Sequence, residues 1–302
     1  MKSLHAIVLA MRPSQWTKNL VVFAAFFFAF WDITRTDALR WTQSLLVLPA
    51  AALFCLASSG IYLVNDIRDL EADRHHPVKC RRPLASGTLS VSLARRAALV
   101  CLGLALGGAF LLSVPFGLVV GTYVLLQFIY TFGLKRVALV DIMVIAAGFV
   151  LRAIAGAVVL PDVTISPWLL LCTFLLALFL ALCKRRHEKL LPAEADDDEA
   201  YRHRPALEKY DAKLLDQLIS IAAGATIVSY SIYTFWPETV DKFGTNALGC
   251  TIPLVVFGIF RYLDLAYRHE LADRPEKILL TDGPLLLTLG LYALTVIIVF
   301  LL

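Results

Sequence analysis

The 302 residues are 59% hydrophobic and 17% charged, with a mean hydropathy of +0.73 and a formal net charge of +4. This composition excludes a soluble globular domain and marks a polytopic, all-α membrane protein. The basic residues lie in loops between apolar segments and form no stripe interleaved with aromatics, so no nucleic-acid partner is expected.

In chain order, Lys2 is followed by weakly apolar residues and then by Arg12, Pro13 and Lys18, so no cleavable signal peptide is expected. Arg12, Gln15 and Asn19 in MRPSQWTKNL follow α-helical spacing, and with Lys18 they are candidates for a substrate-binding polar face opening the first span. Nine apolar segments follow, at about 19–34, 43–64, 91–112, 115–134, 138–160, 167–183, 214–236, 246–265 and 283–302, each near the length a bilayer requires. The six cysteines contain no CxxC, and five lie in or beside apolar segments, so neither a disulfide framework nor a zinc site is expected.

With the N-terminus inside, 24 of the 28 Lys and Arg residues fall on the inner side; Arg35, Arg40 and Lys242 fall outside, and Arg152 lies within a span. Lys and Arg favour cytoplasmic loops, so the N-terminus is expected to be cytoplasmic and the number of spans odd. The long polar loops, 65–90, 184–213 and 266–282, then all face the cytoplasm, and residues 1–302 form a single transmembrane domain. A transporter would be expected to place charge near the midplane, often in matched repeats with broken helices. Clusters gathered at one face read as an enzyme instead.

The densest cluster is Asn65 to Gly87, NDIRDLEADRHHPVKCRRPLASG. Continued as a helix at about 100° per residue, it sets Asp66, Asp69 and Asp73 within an arc of roughly 60°. Hard carboxylates with Asn65 alongside suit Mg2+, which usually accompanies substrate phosphates. Pro77 is expected to end the helix, and Lys79, Arg81 and Arg82 then supply donors for phosphate. Farther on, Tyr130 and Lys135 end the fourth span, and Asp141 follows near the start of the fifth, where Lys135 or a metal would partner it. Arg152 lies about 16 Å deeper and marks a site facing the bundle interior. Lys184 and Arg185 leave the sixth span, sharing a face with Glu188. The Asp196–Glu199 run that follows splays around a helix and reads as a solvated loop. Arg261, Asp264 and Asp282 either line the same cavity or pair with one another.

The pattern NDxxDxxxDxxHPxKxxRPLASG resembles the UbiA superfamily of intramembrane prenyltransferases. That resemblance implies nine helices around a central cavity and a diphosphate held through Mg2+ on the aspartates. A second acidic motif, DxxxD, is usual after the sixth span of the aromatic-acceptor branch, and here that position reads CKRRHEKL. The chain is more similar to the decaprenyl-phosphate phosphoribosyltransferase branch, through MRPSQWTKNL, YLVND, YTFGLK, VLRAIAGA and the Lys-Arg-x-x-Glu after span six. This implies phosphoribosyl pyrophosphate as donor, a polyprenyl phosphate as acceptor, a bacterial inner-membrane location and an active site on the cytoplasmic face. Asn65, Asp66, Asp69 and Asp73 would hold Mg2+, with Lys79 beside them. Arg12, Lys18, Arg81, Arg82, Lys135, Arg152, Lys184 and Arg185 would serve three phosphate groups. The alternatives are prenyl transfer to an aromatic or lipophilic acceptor and transport of a phosphorylated metabolite; a homo-oligomer is compatible with any of these.

Overall fold

The computed structural model describes residues 2–32, 37–76, 78–164, 166–190, 209–268, 278 and 281–301, and every regular element among them is helical. The chain runs through α1 (Lys2–Ala10), a 3-10 helix (Pro13–Phe23), α2 (Ala24–Phe30), α3 (Asp37–Arg68) and α4 (Leu70–Arg74). It continues through α5 (Val91–Leu112), α6 (Val114–Phe132), α7 (Val140–Val158) and α8 (Pro167–Leu190). The last elements are α9 (Ala212–Phe235), α10 (Pro237–Phe243), α11 (Ile252–Arg268) and α12 (Gly283–Leu301). Eight helices among the described residues are long and apolar enough to cross a membrane: α3, α5 to α9, α11 with the turn before it, and α12.

The expected first span, 19–34, is not one of the eight. Residues 19–30 of it belong to the 3-10 helix and to the seven-residue α2, and 33–34 lie outside the described residues. The Asp196–Glu199 run, Pro77 and the 269–277 part of the last loop lie outside the described residues.

Local chemistry sets the helix starts. The Ser90, Ser113 and Asp211 side chains accept backbone N–H groups at the first turns of α5, α6 and α9. Pro115 sits in the first turn of α6, where no intrahelical donor is needed.

Packing relies on small side chains, as expected where lipid is as apolar as leucine and close backbone approach is the main gain. The buried face of α5 is Ala94, Ala98, Cys101, Ala105 and Ala109, set against α3. One core spans α3, α5, α6 and α7 around Phe54 and Phe116, and a second joins α8, α9 and α11 around Phe179 and Leu215. The bundle is closed by aromatic contacts of α2, where Phe27 and Trp31 meet Phe300 of α12 and Phe28 meets Tyr233 of α9. The polar clusters gather at the opposite end.

Candidate active site

The acidic face forms much as its spacing predicts. Asp69 interrupts the regular helix between α3 and α4, yet Asp69 N–H still reaches the Asn65 carbonyl at 2.9 Å and Asp73 N–H reaches Asp69 at 2.8 Å. The three carboxylates therefore stay on one side. Asp66 and Asp73 are buried, whereas Asp69 is more open.

Each carboxylate meets a cation. Arg12 pairs with Asp66 and lies over the Tyr62 ring, 5.0 Å from its centroid. Arg82 Nη1 lies 2.6 Å from Asp73 Oδ2 and 3.3 Å from Asp66 Oδ1, so one guanidinium nitrogen bridges both. Lys135 Nζ sits 2.5 Å from Asp69. Like charges crowded on one face demand countercharge, and three elements far apart in sequence deliver it. Asn65, expected among the ligands, accepts a hydrogen bond from Thr131, a residue that the sequence did not single out.

Among the described residues, no three Asp, Glu, His or Cys side chains converge tightly enough to hold a metal. The donor set nevertheless fits a hard divalent cation in kind. Two buried carboxylates already share one cationic nitrogen, and a third lies one helical turn away.

A second centre forms where α7 begins and α8 ends. Asp141 does not pair with Lys135, one of the two partners expected for it. Its Oδ2 accepts Arg185 Nε at 2.7 Å, and its Oδ1 accepts the Tyr210 hydroxyl at 2.5 Å. Arg185 also donates to Glu188 at 2.5 Å. Lys135 is nearer in sequence but is engaged by Asp69, and Arg185 brings a planar fork that serves two carboxylates at once. Tyr130, on α6, lies within electrostatic reach of Arg185. Tyr210 was not foreseen; it immediately precedes the Asp211 cap of α9 and accepts the N–H of Leu139, which has φ 67°. Burial first, and then the bond it donates to Asp141, push the Tyr210 phenol above its ordinary range. Tyr210→Phe is expected to lower stability by about 1–3 kcal/mol, since it unsatisfies a buried carboxylate oxygen. Scanning fluorimetry in detergent would show the lower midpoint, and turnover at the aspartate face should change only a few-fold.

Arg152 lies deeper still. Its Nε donates to Asn19 Oδ1 at 2.8 Å, Nη1 to the Gly148 carbonyl at 2.9 Å and Nη2 to the Tyr123 hydroxyl at 3.0 Å. The expected α-helical face of Arg12, Gln15 and Asn19 does not exist. In a 3-10 helix, residues three apart eclipse, so Arg12, Gln15 and Lys18 form one half-buried row while Asn19 turns into the bundle beside Val22. Lys79 and Lys184 are half-buried and Arg81 is exposed, all near the same end. Arg261 pairs with Asp282 at 2.7 Å and with Asp264 at 3.1 Å, which settles that trio as a clasp between α11 and the start of α12.

Residues 20–281 match the UbiA prenyltransferase family. The chain belongs to that family. It is 38% identical to the decaprenyl-phosphate phosphoribosyltransferase of Corynebacterium glutamicum, over 76% of this chain and 67% of the relative. It is 34% identical to the enzyme of the same name from Mycobacterium tuberculosis, over 91% of this chain and 88% of the relative. Among solved structures, a UbiA homolog from Archaeoglobus fulgidus bound to GPP and Mg2+ superposes with a TM-score of 0.71 at 17% identity, covering 98% of this chain and 100% of that one. This UbiA-family chain is therefore an integral membrane protein with an all-helical fold among its described residues.

Proposed function

We propose that this protein transfers a 5-phosphoribosyl group from phosphoribosyl pyrophosphate to a polyprenyl monophosphate such as decaprenyl phosphate, releasing pyrophosphate. The product would serve as a precursor of lipid-linked arabinose or a related envelope glycolipid. The observation that carries this reading is the residue pattern at the end of α8. Where a prenyl diphosphate enzyme of the aromatic-acceptor branch would carry a second acidic motif, this chain carries Lys184 and Arg185. The names of its relatives support the same donor chemistry. Prenyl transfer to a lipophilic acceptor, which the broader family permits, is the alternative.

Asp66, Asp69 and Asp73 would hold a divalent cation, Mg2+ by the nature of the donors. When bound, the cation neutralises charge on the departing pyrophosphate. Arg12, Arg82 and Lys135, which face the carboxylates in the structure, would turn to the donor's phosphates when it arrives. Lys18, Lys79, Arg81 and Lys184 lie around the same end and would bind its peripheral phosphates and the acceptor's phosphate. Gln15 and Tyr130 would orient the ribose side. The acceptor oxygen is already anionic, so it forms the new bond to ribose C1 as the C1–O bond to pyrophosphate breaks. No proton must be removed, so a site rich in cations needs no general base.

The test is transfer by the purified protein of label from radioactive phosphoribosyl pyrophosphate into an organic extract. Label should move only when both polyprenyl phosphate and Mg2+ are present. Turnover of a prenyl diphosphate with an aromatic acceptor, and none here, would replace this reading by the alternative. We also propose an inner-membrane protein with this site on the cytoplasmic side. Reporter fusions should accordingly place the N-terminus inside and the C-terminus outside.

A further inference from the structure

The 3-10 helix Pro13–Phe23 is eleven residues long, although runs beyond three or four are uncommon. Something must hold it. Its buried residues are Asn19 and Val22, three apart, and the exposed Trp16 precedes them at the same spacing. Trp16 Nε1 donates to Ser59 Oγ at 3.0 Å, and Asn19 Nδ2 donates to Ser58 Oγ at 3.2 Å, both on α3. On the other side, the Val22 carbonyl presses so closely on α7 that a Cβ at Gly156 would fall 1.8 Å from it. Between these two anchors, Arg152 holds Asn19 from α7.

Arg152 is 5% exposed, and among the described residues no carboxylate pairs with it. Three rings, Tyr123, Phe149 and Phe54, surround its guanidinium, with centroids at 4.9, 5.1 and 5.6 Å. A buried cation without countercharge is costly, and packing alone would be served by methionine or leucine. What an arginine adds here is a fixed donor that sets the Asn19 amide, its oxygen to α7 and its nitrogen to α3.

Seven residues before Asn19, the chain leaves the 3-10 helix at Arg12 through a left-handed backbone, φ 55° and ψ 62°, and Arg12 meets Asp66. Seven residues rise about 14 Å in 3-10 geometry and about 10.5 Å in α geometry, with a turn that differs by about 140°. A register that relaxed toward α would withdraw Arg12 from Asp66. We propose that Arg152 is a positioning residue: through Asn19 it locks the 3-10 register that holds Arg12 at the aspartate face. The inference rests on the reading of that face as the donor site.

The test is a double-mutant cycle on purified protein, with KM and kcat measured for phosphoribosyl pyrophosphate. Arg12→Ala and Arg152→Lys should each raise KM for the donor about 10- to 100-fold, the range of a lost charge-assisted hydrogen bond, with kcat changed much less. The double variant should be no worse than Arg12→Ala alone. Additive losses, or a rise in KM for the polyprenyl phosphate instead, would overturn the proposal while leaving the donor site standing. Wild-type kinetics for Arg12→Ala would remove Arg12 from the donor site and overturn both. Should Arg152→Lys not fold, Asn19→Ala breaks the same link with the cation retained, and the same non-additivity with Arg12→Ala is required.

Discussion

Asp69→Asn is expected to abolish turnover, by about a thousandfold or more, while leaving the protein about as stable as before. Asp69 is the most open of the three acids, with 38% of its side chain exposed and Lys135 beside it. Pairs this exposed contribute about 0–1 kcal/mol, so the fold has little to lose. A cation-binding carboxylate, by contrast, carries charge stabilisation that asparagine does not replace. Asp66→Asn and Asp73→Asn should lose activity equally but also cost stability, because Arg12 and Arg82 would be left facing neutral amides in a largely buried setting. Turnover and thermal midpoints of the three variants side by side decide the matter. Near-normal turnover in Asp69→Asn would sink the metal assignment, whatever the other two did.

The second large effect lies well away from the aspartates. Gly156→Ala would set a methyl carbon 1.8 Å from the Val22 carbonyl and 2.8 Å from its carbonyl carbon, both backbone atoms that cannot rotate aside. The 3-10 helix must move off α7. Overpacking of this kind costs about 1–3 kcal/mol, and a displacement of about 1 Å at a reacting site costs on the order of a hundredfold in rate. Gly121→Ala is the control: it also sits on a membrane-crossing helix, but a Cβ there meets nothing within 4 Å. Midpoint and turnover should fall together at Gly156 and hold at Gly121. Equal behaviour at both positions would mean that the 3-10 helix tolerates displacement.

The acidic face was legible because it is local. Asp66, Asp69 and Asp73 sit within two turns, and helical spacing alone places them together. The cations that meet them were identified by type, but their pairing was not legible, since Arg82 approaches from a loop and Lys135 from the end of another helix. The second centre shows the same limit. Asp141 and Arg185 are 44 positions apart, and nothing near either one names the other. The first apolar segment misled for a different reason. Arg12, Gln15 and Asn19 fit an α-helical face as well as any sequence can, but contacts with Ser58, Ser59, Arg152 and Gly156 impose a period of three. Tertiary contacts here override local preference, so the polar row becomes Arg12, Gln15 and Lys18. The length of the segment likewise suggested a ninth α-helical span, and its described residues form a 3-10 helix followed by the short α2.

That 3-10 geometry also changes how far the chain reaches. At about 2.0 Å per residue, the eleven residues of the 3-10 helix cover roughly 22 Å. The seven of α2 add about 10 Å. Laid end to end, Pro13–Phe30 extends about as far as the ~30 Å hydrocarbon layer is thick, a distance for which an α-helix needs about twenty residues. The stretched coil thus gives eighteen residues about the reach of an ordinary twenty-residue span, with Arg12 just before one end and Trp31 just after the other.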